Sequence, residues 1–390
     1  MEGDFIKNND WLLPLSWCYG LGVRFRNFLF DVGALKSREY KTPVISVGNI
    51  TVGGTGKTPH VEYLVRLLKD KIRVAVLSRG YKRKSRGFLI AEKNTPMQMI
   101  GDEPFQMKQK FPTITVAVDK KRTHGIEQLT DNDSPNAKID VVLLDDAFQH
   151  RYVKPGINIL LVDYHRLIIY DKLLPAGRLR EPLNGKDRAD IVIVTKCPKE
   201  LKPMNFRVIT KAMNLYPYQQ LYFTTLEYDN LRPVFHNGKR VVTSQQLTEL
   251  NVLLITGIAS PRQLTEDLTP KVKSLTPMTF SDHHNFSRKD IMRLNETFAE
   301  MPSPKIIVTT EKDAARLLTV QDLSNDVKQN LYTQPIRVAF LLEQEETFNH
   351  FILDYIVKNS RNLILRNHPA KPKKDDKPKD KNKPKTISFR

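Results

Sequence analysis

Residues 43–68 read PVISVGNITVGGTGKTPHVEYLVRLL, and this stretch decides the fold. It begins with a short apolar run, passes through a glycine-rich loop, and continues from His60 to Leu68 with apolar residues at helical spacing. A strand, loop and helix in this order are typical of a phosphate-binding loop, because glycines let backbone N–H groups close around phosphate oxygens and the helix N-terminus adds a favourable dipole. The stretch therefore predicts a nucleotide-binding protein.

Within this loop, each residue type has a predicted task. The three glycines let the backbone approach the phosphates, Lys57 is expected to reach the β- and γ-phosphates, and the Thr58 hydroxyl is expected to bind Mg²⁺. The pattern G-x-x-x-x-G-K-[ST] is not met in full, because its first position is Thr51. The nearby glycines and the flanking strand and helix compensate. The predicted nucleotide-binding residues are Thr51, Val52, Gly53, Gly54, Thr55, Gly56, Lys57 and Thr58.

Further apolar runs predict buried strands at residues 74–77, 113–118, 141–144, 157–162 and 191–194. Most are apolar throughout instead of alternating, which is the pattern of a parallel sheet covered on both faces. Helical stretches between them predict βαβ units, so the predicted fold class is α/β, a P-loop NTPase-like doubly wound and mostly parallel sheet with a smaller C-terminal α/β domain. Ligands bind at the carboxyl ends of the strands in such sheets.

The strand predicted at residues 141–144 ends in the acidic pair Asp145-Asp146. A buried strand ending in acid is what holds Mg²⁺ beside a phosphate loop, but the same pattern arises where terminal aspartates cap the next helix. Because the phosphate loop lies upstream in the same predicted sheet, the metal role is favoured for Asp145, with Asp146 as its alternative.

The chain is predicted to have five parts. Residues 1–40 form an N-terminal helix and residues 41–216 the phosphate-loop domain. A β-rich linker, 217–244, leads to a smaller C-terminal α/β domain, 245–366, inferred from apolar runs at 252–255 and 305–308. Residues 367–390 form a basic tail, which is expected to be disordered because its Lys, Pro and Asp composition cannot pack a core.

The net charge is +19, and the tail from His368 to Arg390 contributes +6 of it (eight Lys and one Arg against three Asp). Basic charge suits nucleic acid, anionic lipid or phosphorylated substrates, and charge alone does not choose among them. The two cysteines, Cys18 and Cys197, fit no metal-ligand spacing and are predicted to be free thiols in a reducing compartment.

The segment WLLPLSWCYGLGVRFRNFLF, residues 11–30, is rich in apolar and aromatic side chains. No run of about 18 uninterrupted apolar residues occurs, so an ordinary transmembrane helix is not supported. A cleaved signal peptide fits badly, because Glu2 and Asp4 precede the segment and no small-residue cleavage site follows it. Two interpretations remain: an amphipathic helix in the membrane interface, or a helix packed on the protein's own core.

Seven motifs follow one another along most of the chain: GNITVGGTGKTP at 48–59, SRGY at 78–81, GDEP at 101–104, DDAFQH at 145–150, LPAGRLREP at 174–182, SDHH at 281–284 and TEKD at 310–313. In this order they resemble the tetraacyldisaccharide 4′-kinase family, the lipid A kinases of Gram-negative bacteria. The resemblance covers about residues 10–320, and its specificity lies in the order of the motifs. One departure is Ala147, where the family usually has glycine, and a methyl group is tolerable there if φ is negative.

The resemblance implies transfer of the γ-phosphate of ATP, with Mg²⁺, to the 4′-hydroxyl of a tetraacylated glucosamine disaccharide 1-phosphate, a late step of lipid A biosynthesis. The implied place is the cytoplasmic face of the bacterial inner membrane, with the chain peripheral or monotopic. Because the family's N-terminal helix associates with that membrane, the resemblance favours membrane contact for residues 11–30. The expected partners are the lipid substrate and the membrane surface, without nucleic acid, and the chain is expected to be monomeric.

The resemblance also implies roles for single residues. Asp102 is the expected base, His283 orients or tunes it, and Lys57 completes the catalytic set. Without the family, Asp102 would be interpreted as a helix N-cap and His283 as an ordinary hydrogen-bonded histidine. The expected Mg²⁺ ligands are Thr58, Asp145, Asp146 and Glu181. Contacts with phosphate or substrate are expected from Asn49, Arg79, Tyr81, Arg122, Gln149, His150, Arg178 and Arg180, in part because arginine binds phosphate through two parallel hydrogen bonds.

Two other classes of function compete with this one. A GTPase would carry Asn-Lys-x-Asp where this chain has Thr195-Lys196-Cys197-Pro198, and the missing Asn and Asp leave guanine selection unsupported. A soluble small-molecule kinase belongs to the same alternative. A nucleic-acid-binding ATPase is suggested by the charge, but about a third of the excess lies in the tail and no nucleic-acid motif occurs.

Overall fold

The computed structural model describes residues 9–131, 139–235, 241–243, 245–258, 261–282 and 284–359, so His283 and the predicted basic tail lie outside it. The strands are β1 (Val44–Gly48), β2 (Val74–Ser78), β3 (Leu89–Ile90), β4 (Thr115–Val118), β5 (Val141–Asp145), β6 (Ile157–Asp163), β7 (Ile191–Thr195), β8 (Gln220–Tyr228), β9 (Arg232–Pro233), β10 (Asn251–Thr256), β11 (Ser274–Thr279), β12 (Lys305–Thr310), β13 (Leu331–Gln334) and β14 (Ile336–Phe340). The helices are α1 (Leu13–Asp31), α2 (Lys57–Leu68), α3 (Met97–Ile100), α4 (Asp102–Lys110), α5 (Arg122–Thr130), α6 (Pro203–Met213), α7 (Arg262–Leu268), α8 (Arg288–Glu300), α9 (Glu311–Leu317), α10 (Asn325–Asn330) and α11 (Glu345–Asn359).

The larger sheet has the strand order β14-β8-β7-β6-β1-β5-β2-β4-β3. Its strands from β8 to β4 are parallel, whereas β3 and β14 pair antiparallel at the two edges. The strands β1, β2, β5 and β7 are buried along their whole length, as their uninterrupted apolar sequences require. This confirms the predicted mostly parallel α/β sheet. Because β1 lies between β6 and β5, the loop that follows β1 leaves the middle of the sheet, where ligands bind in such folds.

Helix α2 follows the glycine-rich loop and covers one face of this sheet. Its start is fixed by Gly56, whose φ of +78° lies in the left-handed region that favours glycine. The apolar residues Val61, Leu64, Val65 and Leu68 recur at helical spacing and are buried. They belong to the same core as Phe348 and Ile352 of α11, so the last described helix returns to the larger sheet.

The smaller sheet has the order β11-β10-β12-β13-β9, parallel except for β9. Strand β8 lies inside the predicted linker 217–244, yet it pairs with β7 and β14 in the larger sheet. The physical reason is that four consecutive residues of β8 are buried, so it is a true sheet strand. We therefore propose a division that follows the sheets: residues 41–228 with 336–359, and residues 229–334.

Helix α1 packs one face on the rest of the protein and leaves the other exposed. The Ser16 hydroxyl donates a 3.0 Å hydrogen bond to the carbonyl of Leu173, and Gly20 is buried beside the same leucine. The opposite face carries Trp11, Trp17 and Leu21, which are 80%, 73% and 70% exposed. One face therefore packs on the protein's own core, as the second interpretation predicts, and membrane contact of the exposed face stays a prediction. Within the described residues, no helix is both long and apolar enough to cross a bilayer.

Candidate active site

The glycine-rich loop is held by a second segment of the chain. The N–H of Val52 donates to the carbonyl of Arg178 at 2.8 Å, and the N–H of Arg180 donates to the carbonyl of Ile50 at 2.7 Å. The loop itself needs glycine at Gly53, whose φ is +115°. The predicted phosphate loop and the segment that carries Arg178 and Arg180 therefore form one unit at the carboxyl end of β1.

Inside the loop, Asn49 acts as an internal brace. Its side chain is fully buried, and its Nδ2 donates to the hydroxyls of Thr55 at 2.9 Å and Thr51 at 3.3 Å. The Arg180 guanidinium donates to the backbone carbonyl of Asn49 at 3.1 Å and also to its side-chain oxygen. Asn49 thus shapes the loop from within, which differs from the direct phosphate or substrate contact expected from the sequence.

The lysine of the loop faces the acidic pair. Nζ of Lys57 lies 3.8 Å from Oδ1 of Asp146, and the lysine side chain is 17% exposed. Strands β1 and β5 are neighbours, with Val47 beside Asp145, which is why the two motifs meet. An ammonium group beside two carboxylates at the end of a parallel sheet is an arrangement suited to binding phosphate together with a divalent cation.

Asp145 is the buried member of the pair. Burial raises the pKa of its carboxyl well above the ordinary value, and the negative charges of Glu103 and Asp146 raise it further, while Lys57 and Arg122 work in the opposite direction. A bound cation would offset the cost of a negative charge on a carboxyl that is buried and lies beside like charges. This environment fits a metal ligand.

Asp146 is more exposed, at 39% of its side chain, and has a φ of +48°. Burial alone would raise its pKa, but Lys57, Arg180 and Arg122 outweigh that effect and lower it. Arg180 donates to Oδ1 of Asp146 at 3.2 Å. The left-handed backbone thus belongs to Asp146, and Ala147 is not among the described residues with positive φ, so its extra methyl group meets the condition set by the sequence.

Arg122 and His150 belong to a group of cationic or potentially cationic side chains beside the acidic pair. Arg122 is 3% exposed, and its Nε is buried without a hydrogen-bond partner among the described residues. Burial lowers the pKa of Arg122, and Arg79 adds to this effect. Burial, together with the charges of Arg122, Arg26 and Arg79, lowers the pKa of His150 to about 4, so this histidine is neutral at pH 7. Anionic ligand groups would relieve this crowding of positive charge.

Four of the candidate residues have a buried polar atom with no hydrogen-bond partner in the described part of the chain: Arg122 Nε, His150 Nε2, Arg180 Nε and Glu181 Oε1. The other oxygen of Glu181, Oε2, accepts a 2.6 Å hydrogen bond from Arg188. Buried groups of this kind are costly unless a ligand satisfies them. No cluster of three or more His, Cys, Asp or Glu side chains suited to metal binding occurs among the described residues. Mg²⁺ does not need one, because it is commonly held by one or two carboxylates together with substrate phosphates, so Thr58, Asp145 and Glu181 remain suitable in chemistry.

Asp102 is the first residue of α4 and contacts the smaller sheet's helix α9. Both Nε and Nη2 of Arg316 donate to its Oδ2, at 3.0 and 2.5 Å. Its neighbour Glu103 is close enough to Asp145 to raise that residue's pKa, so α4 brings the proposed base toward the acidic pair. The expected partner His283 lies outside the described residues.

The remaining predicted residues occupy the edge of this site. Arg79 and Tyr81 are exposed, Tyr81 by 59%. The carbonyl of Gln149 accepts a 3.4 Å hydrogen bond from Arg26 of α1, which connects the N-terminal helix to the acidic motif. Arg178 lines a small cleft of about 60 Å³ along residues 51–55 of the loop. All described candidates except Asp102 and Arg122, which begin α4 and α5, therefore lie within the phosphate loop, the segment paired with it, or the residues that follow β2 and β5.

Two residues that support the phosphate loop, Thr195 and Lys196, were not predicted from the sequence; we call them the outer brace of the loop. The Thr195 hydroxyl donates to the carbonyl of Thr55 at 3.0 Å, and the Lys196 ammonium donates to the carbonyl of Gly54. Lys196 is also paired with Asp163 at 2.6 Å. The sequence did draw attention to these two residues, because they lie where a GTPase would carry guanine-binding residues. Thr195 is the last residue of β7 and Lys196 follows it, and here their side chains bind carbonyl oxygens of the loop instead.

A second missed residue is His60 on α2. Its Nδ1 donates to the carbonyl of Gly56 at 2.7 Å, and its Nε2 accepts from the Thr224 hydroxyl at 3.0 Å. Burial lowers the pKa of His60 to about 4, and the hydrogen bond to Gly56 acts in the other direction. A neutral ring with one donor and one acceptor nitrogen satisfies both contacts. No sequence motif marks this residue.

Comparison with known proteins gives the same result at three levels. A sequence model of the family described as "LpxK: Tetraacyldisaccharide-1-P 4'-kinase" matches residues 9–357. The chain is 59% identical over 363 residues to a tetraacyldisaccharide 4′-kinase of Phocaeicola vulgatus, covering 93% of this chain and 99% of that protein. The corresponding protein of Bacteroides thetaiotaomicron is 52% identical over 370 residues, covering 93% and 97%.

A solved structure is similar as well. It is a crystal structure of LpxK from Aquifex aeolicus in complex with ATP. Its sequence is 32% identical, the TM-score is 0.69, and the match covers 89% of this chain and 99% of that one.

Proposed function

This chain belongs to the tetraacyldisaccharide-1-phosphate 4′-kinase family, and from that premise we propose that it phosphorylates the 4′-hydroxyl of a tetraacylated glucosamine disaccharide 1-phosphate with ATP. The reaction is a step of lipid A biosynthesis. The observation that carries the proposal is the approach of Lys57 to Asp146 beside the buried Asp145, at the carboxyl ends of two adjacent parallel strands. This is the charge arrangement that phosphoryl transfer requires, because catalysis of this reaction rests on positioning and neutralisation of charge.

The chemical step joins the sugar 4′-oxygen to the γ-phosphorus and breaks the bond from that phosphorus to the oxygen between the β- and γ-phosphates. ADP leaves with the bond's electron pair, and the hydroxyl proton passes to the Asp102 carboxylate. Lys57, at the end of the phosphate loop, would balance the negative charge that shifts toward the leaving oxygen. Arg122 and Arg180 are suited to hold phosphate oxygens, because the buried Nε of each has no hydrogen-bond partner among the residues that the structure describes.

Mg²⁺, when bound, would reduce the negative charge of the phosphate groups. The residues suited to hold it are Thr58, Asp145 and Glu181, with Asp146 as the alternative to Asp145. Asp146 is already paired with Lys57 and Arg180, whereas the environment of Asp145 disfavours an uncompensated charge. We therefore assign the closer metal contact to Asp145.

The lipid substrate stays in a bilayer, since its acyl chains each contribute about 0.8 kcal/mol per buried CH₂. The exposed aromatic face of α1 supports contact with that bilayer, and α1 reaches the site through Arg26 and the Tyr19 hydroxyl, which donates to the carbonyl of Arg180 at 2.8 Å. We place the enzyme at the cytoplasmic face of the inner membrane, acting as a monomer and without a nucleic-acid partner.

The test is transfer of labelled phosphate from ATP to purified disaccharide-1-phosphate lipid in detergent micelles with Mg²⁺, with the product's phosphorus and proton NMR spectra locating the new ester. Transfer to the 4′-oxygen is expected, and Asp102→Asn should lower kcat by about 10²–10⁴ because a general base is lost. ATP binding, measured separately, should remain. Absence of transfer by the wild-type enzyme would overturn the function, and near-native kcat in Asp102→Asn would overturn the role of Asp102 alone.

A further inference from the structure

Arg316 on α9 reaches across from the smaller sheet to the carboxylate of Asp102. Its side chain is 3% exposed, and two of its nitrogens, Nε and Nη2, donate to the same oxygen of Asp102. The two residues are 214 positions apart in the chain, so only the packing of α4 against α9 brings them together. This contact links the smaller sheet to the proposed base.

The guanidinium is itself held in a fixed orientation. Its remaining terminal nitrogen, Nη1, donates to Oδ1 of Asp313 at 3.0 Å and to the carbonyl of Gly257 at 3.4 Å. Asp313 is fully buried, and its Oδ2 accepts from the N–H of Gly257 at 2.8 Å and from the Thr310 hydroxyl at 2.7 Å. The ends of β10 and β12 therefore anchor Arg316. This accounts for the buried acid of the Thr310–Asp313 motif, to which the function assigned no task.

A simple tether between the two sheets would not need this arrangement. Lys110 of α4 already bridges Glu62 of α2, at 2.6 Å, and Glu311 of α9. A buried ion pair is weak evidence for stability, because the cost of removing both charges from water can exceed their attraction. What distinguishes Arg316 from Lys110 is its partner, which is the carboxylate proposed to accept the substrate's proton.

We propose that Arg316 is a positioning residue, which orients the Asp102 carboxylate and keeps it ionised, so that the base is ready only while the smaller sheet is docked on α4. The inference rests on the proposed role of Asp102. With Oδ2 bonded twice to a fixed guanidinium, the plane of the carboxylate is set, and with it the position of Oδ1. Misplacement of a reacting group by about 1 Å can cost about a hundredfold in rate.

The test compares Arg316→Gln and Arg316→Lys with the matched control Glu311→Gln, which breaks the neighbouring ion pair between the same helices but leaves Asp102 untouched. Arg316→Gln should lower kcat by about ten- to a hundredfold with little change in KM for ATP. Arg316→Lys should recover part of the loss, because it restores the charge without the paired hydrogen bonds. Glu311→Gln should retain near wild-type kcat.

Two further readouts separate positioning from folding. The acid limb of the kcat–pH profile should move to higher pH in Arg316→Gln, because loss of an adjacent positive charge makes a carboxylate easier to protonate. The described charged groups around α4 include Arg316, Glu311 and Asp313 on α9, Glu62 on α2, Asp145 at the end of β5, and Glu103, Lys108 and Lys110 on α4 itself. Only Arg316 is changed. The same shift should appear directly in the ¹³C NMR titration of the Asp102 carboxyl, assigned with Asp102→Asn.

Equal losses of kcat in Arg316→Gln and Glu311→Gln, or an unmoved Asp102 titration, would overturn the proposal. The NMR titration does not depend on lipid phosphorylation, so it decides the role of Arg316 even if the wild-type enzyme fails to phosphorylate the disaccharide. That failure would count against the proposed function alone. A variant that does not fold is recognised by its circular dichroism, and Arg316→Lys then carries the test.

Discussion

The ammonium of Lys57 lies 3.8 Å from the carboxylate of Asp146, across two adjacent parallel strands of the larger sheet. The distance is long for a hydrogen bond, so the pair is an ionic contact with room for change. Lysine carries a flexible stem and a compact charge. Its position suits a side chain that leaves the carboxylate when a phosphate enters the loop.

Removal of this charge should damage the chemical step more than folding. Lys57→Ala is expected to lower kcat by about 10²–10³, the usual cost of losing one preorganised charge at a site of developing negative charge. Steady-state transfer of labelled phosphate, with calorimetric measurement of ATP binding, tests this. Lys69→Ala is the control, because its ammonium pairs with Asp70 at the end of α2, far along the same helix. Equal effects of the two substitutions would contradict the role.

The two aspartates should differ in their effect on the metal requirement. Asp145→Asn is expected to raise the Mg²⁺ concentration for half-maximal rate by at least about tenfold, as is typical when a group that supports a metal is lost. Asp146→Asn should raise it less, because Asp146 already balances Lys57 and Arg180. Titration of the initial rate with Mg²⁺ at fixed ATP measures both. A larger effect in Asp146→Asn would reverse the assignment.

The outer brace of the loop predicts an effect on ATP affinity. Lys196→Met removes the ammonium that binds the Gly54 carbonyl. Ordering one loop residue costs about 1–2 kcal/mol, so KM for ATP should rise about tenfold while kcat for saturated enzyme changes little. Lys199→Met is the matched control, since Lys199 pairs with Glu227 on the surface and does not contact the loop. An unchanged KM in Lys196→Met would show that the brace is dispensable.

Local segments of the chain were predictable, because their signals are contiguous. The strand–loop–helix unit around Lys57 and the strand ending in Asp145 needed only apolar periodicity, glycine and acid at fixed offsets. Strands that are apolar throughout, without alternating polar residues, are typical of a parallel sheet. Parallel pairing of β1 with β5 then brings the carboxyl ends of the two strands together. The residues predicted from these segments form a single group for that reason.

Contacts between distant segments were not predictable. Asp102 looked like a helix N-cap, and nothing near it in sequence marks Arg316 as its partner. In the same way β8 and β14 lie on opposite sides of the smaller sheet in sequence, yet they pair at one edge of the larger one. Such pairings depend on how the two sheets pack, which hydrophobic periodicity does not encode. Only the resemblance to a family drew attention to Asp102.

The exposed face of α1 predicts membrane partition. Replacing Trp11 and Trp17 by serine should lower binding to phospholipid vesicles by at least about tenfold, because each large apolar side chain contributes about 1.5–3 kcal/mol on burial. Co-sedimentation with vesicles measures this, and kcat on micellar substrate should be little changed. Met204→Ser is the control, an apolar side chain that is 64% exposed on α6. An equal loss of vesicle binding in Met204→Ser would show that membrane binding is not specific to the exposed face of α1.

The buried His60 makes stability depend on pH in a defined direction. Its pKa is lowered from 6.5 to about 4 in the folded protein, so below pH 6.5 the unfolded chain binds a proton that the folded chain does not. Stability from this residue is therefore lost as the pH falls from 6.5 toward 4, by about 1.4 kcal/mol per pH unit. Buried carboxyls with raised pKa values act in the opposite direction, so the contribution of His60 must be isolated by substitution.

His60→Gln should remove this contribution: between pH 7.5 and pH 5 the Tm of the wild-type protein should fall further than that of the variant. The exposed His350→Gln, on α11, should behave as the wild type. Parallel Tm curves for wild type and His60→Gln would mean that this histidine is charged in the folded protein, and its donor–acceptor assignment between Gly56 and Thr224 would then be wrong.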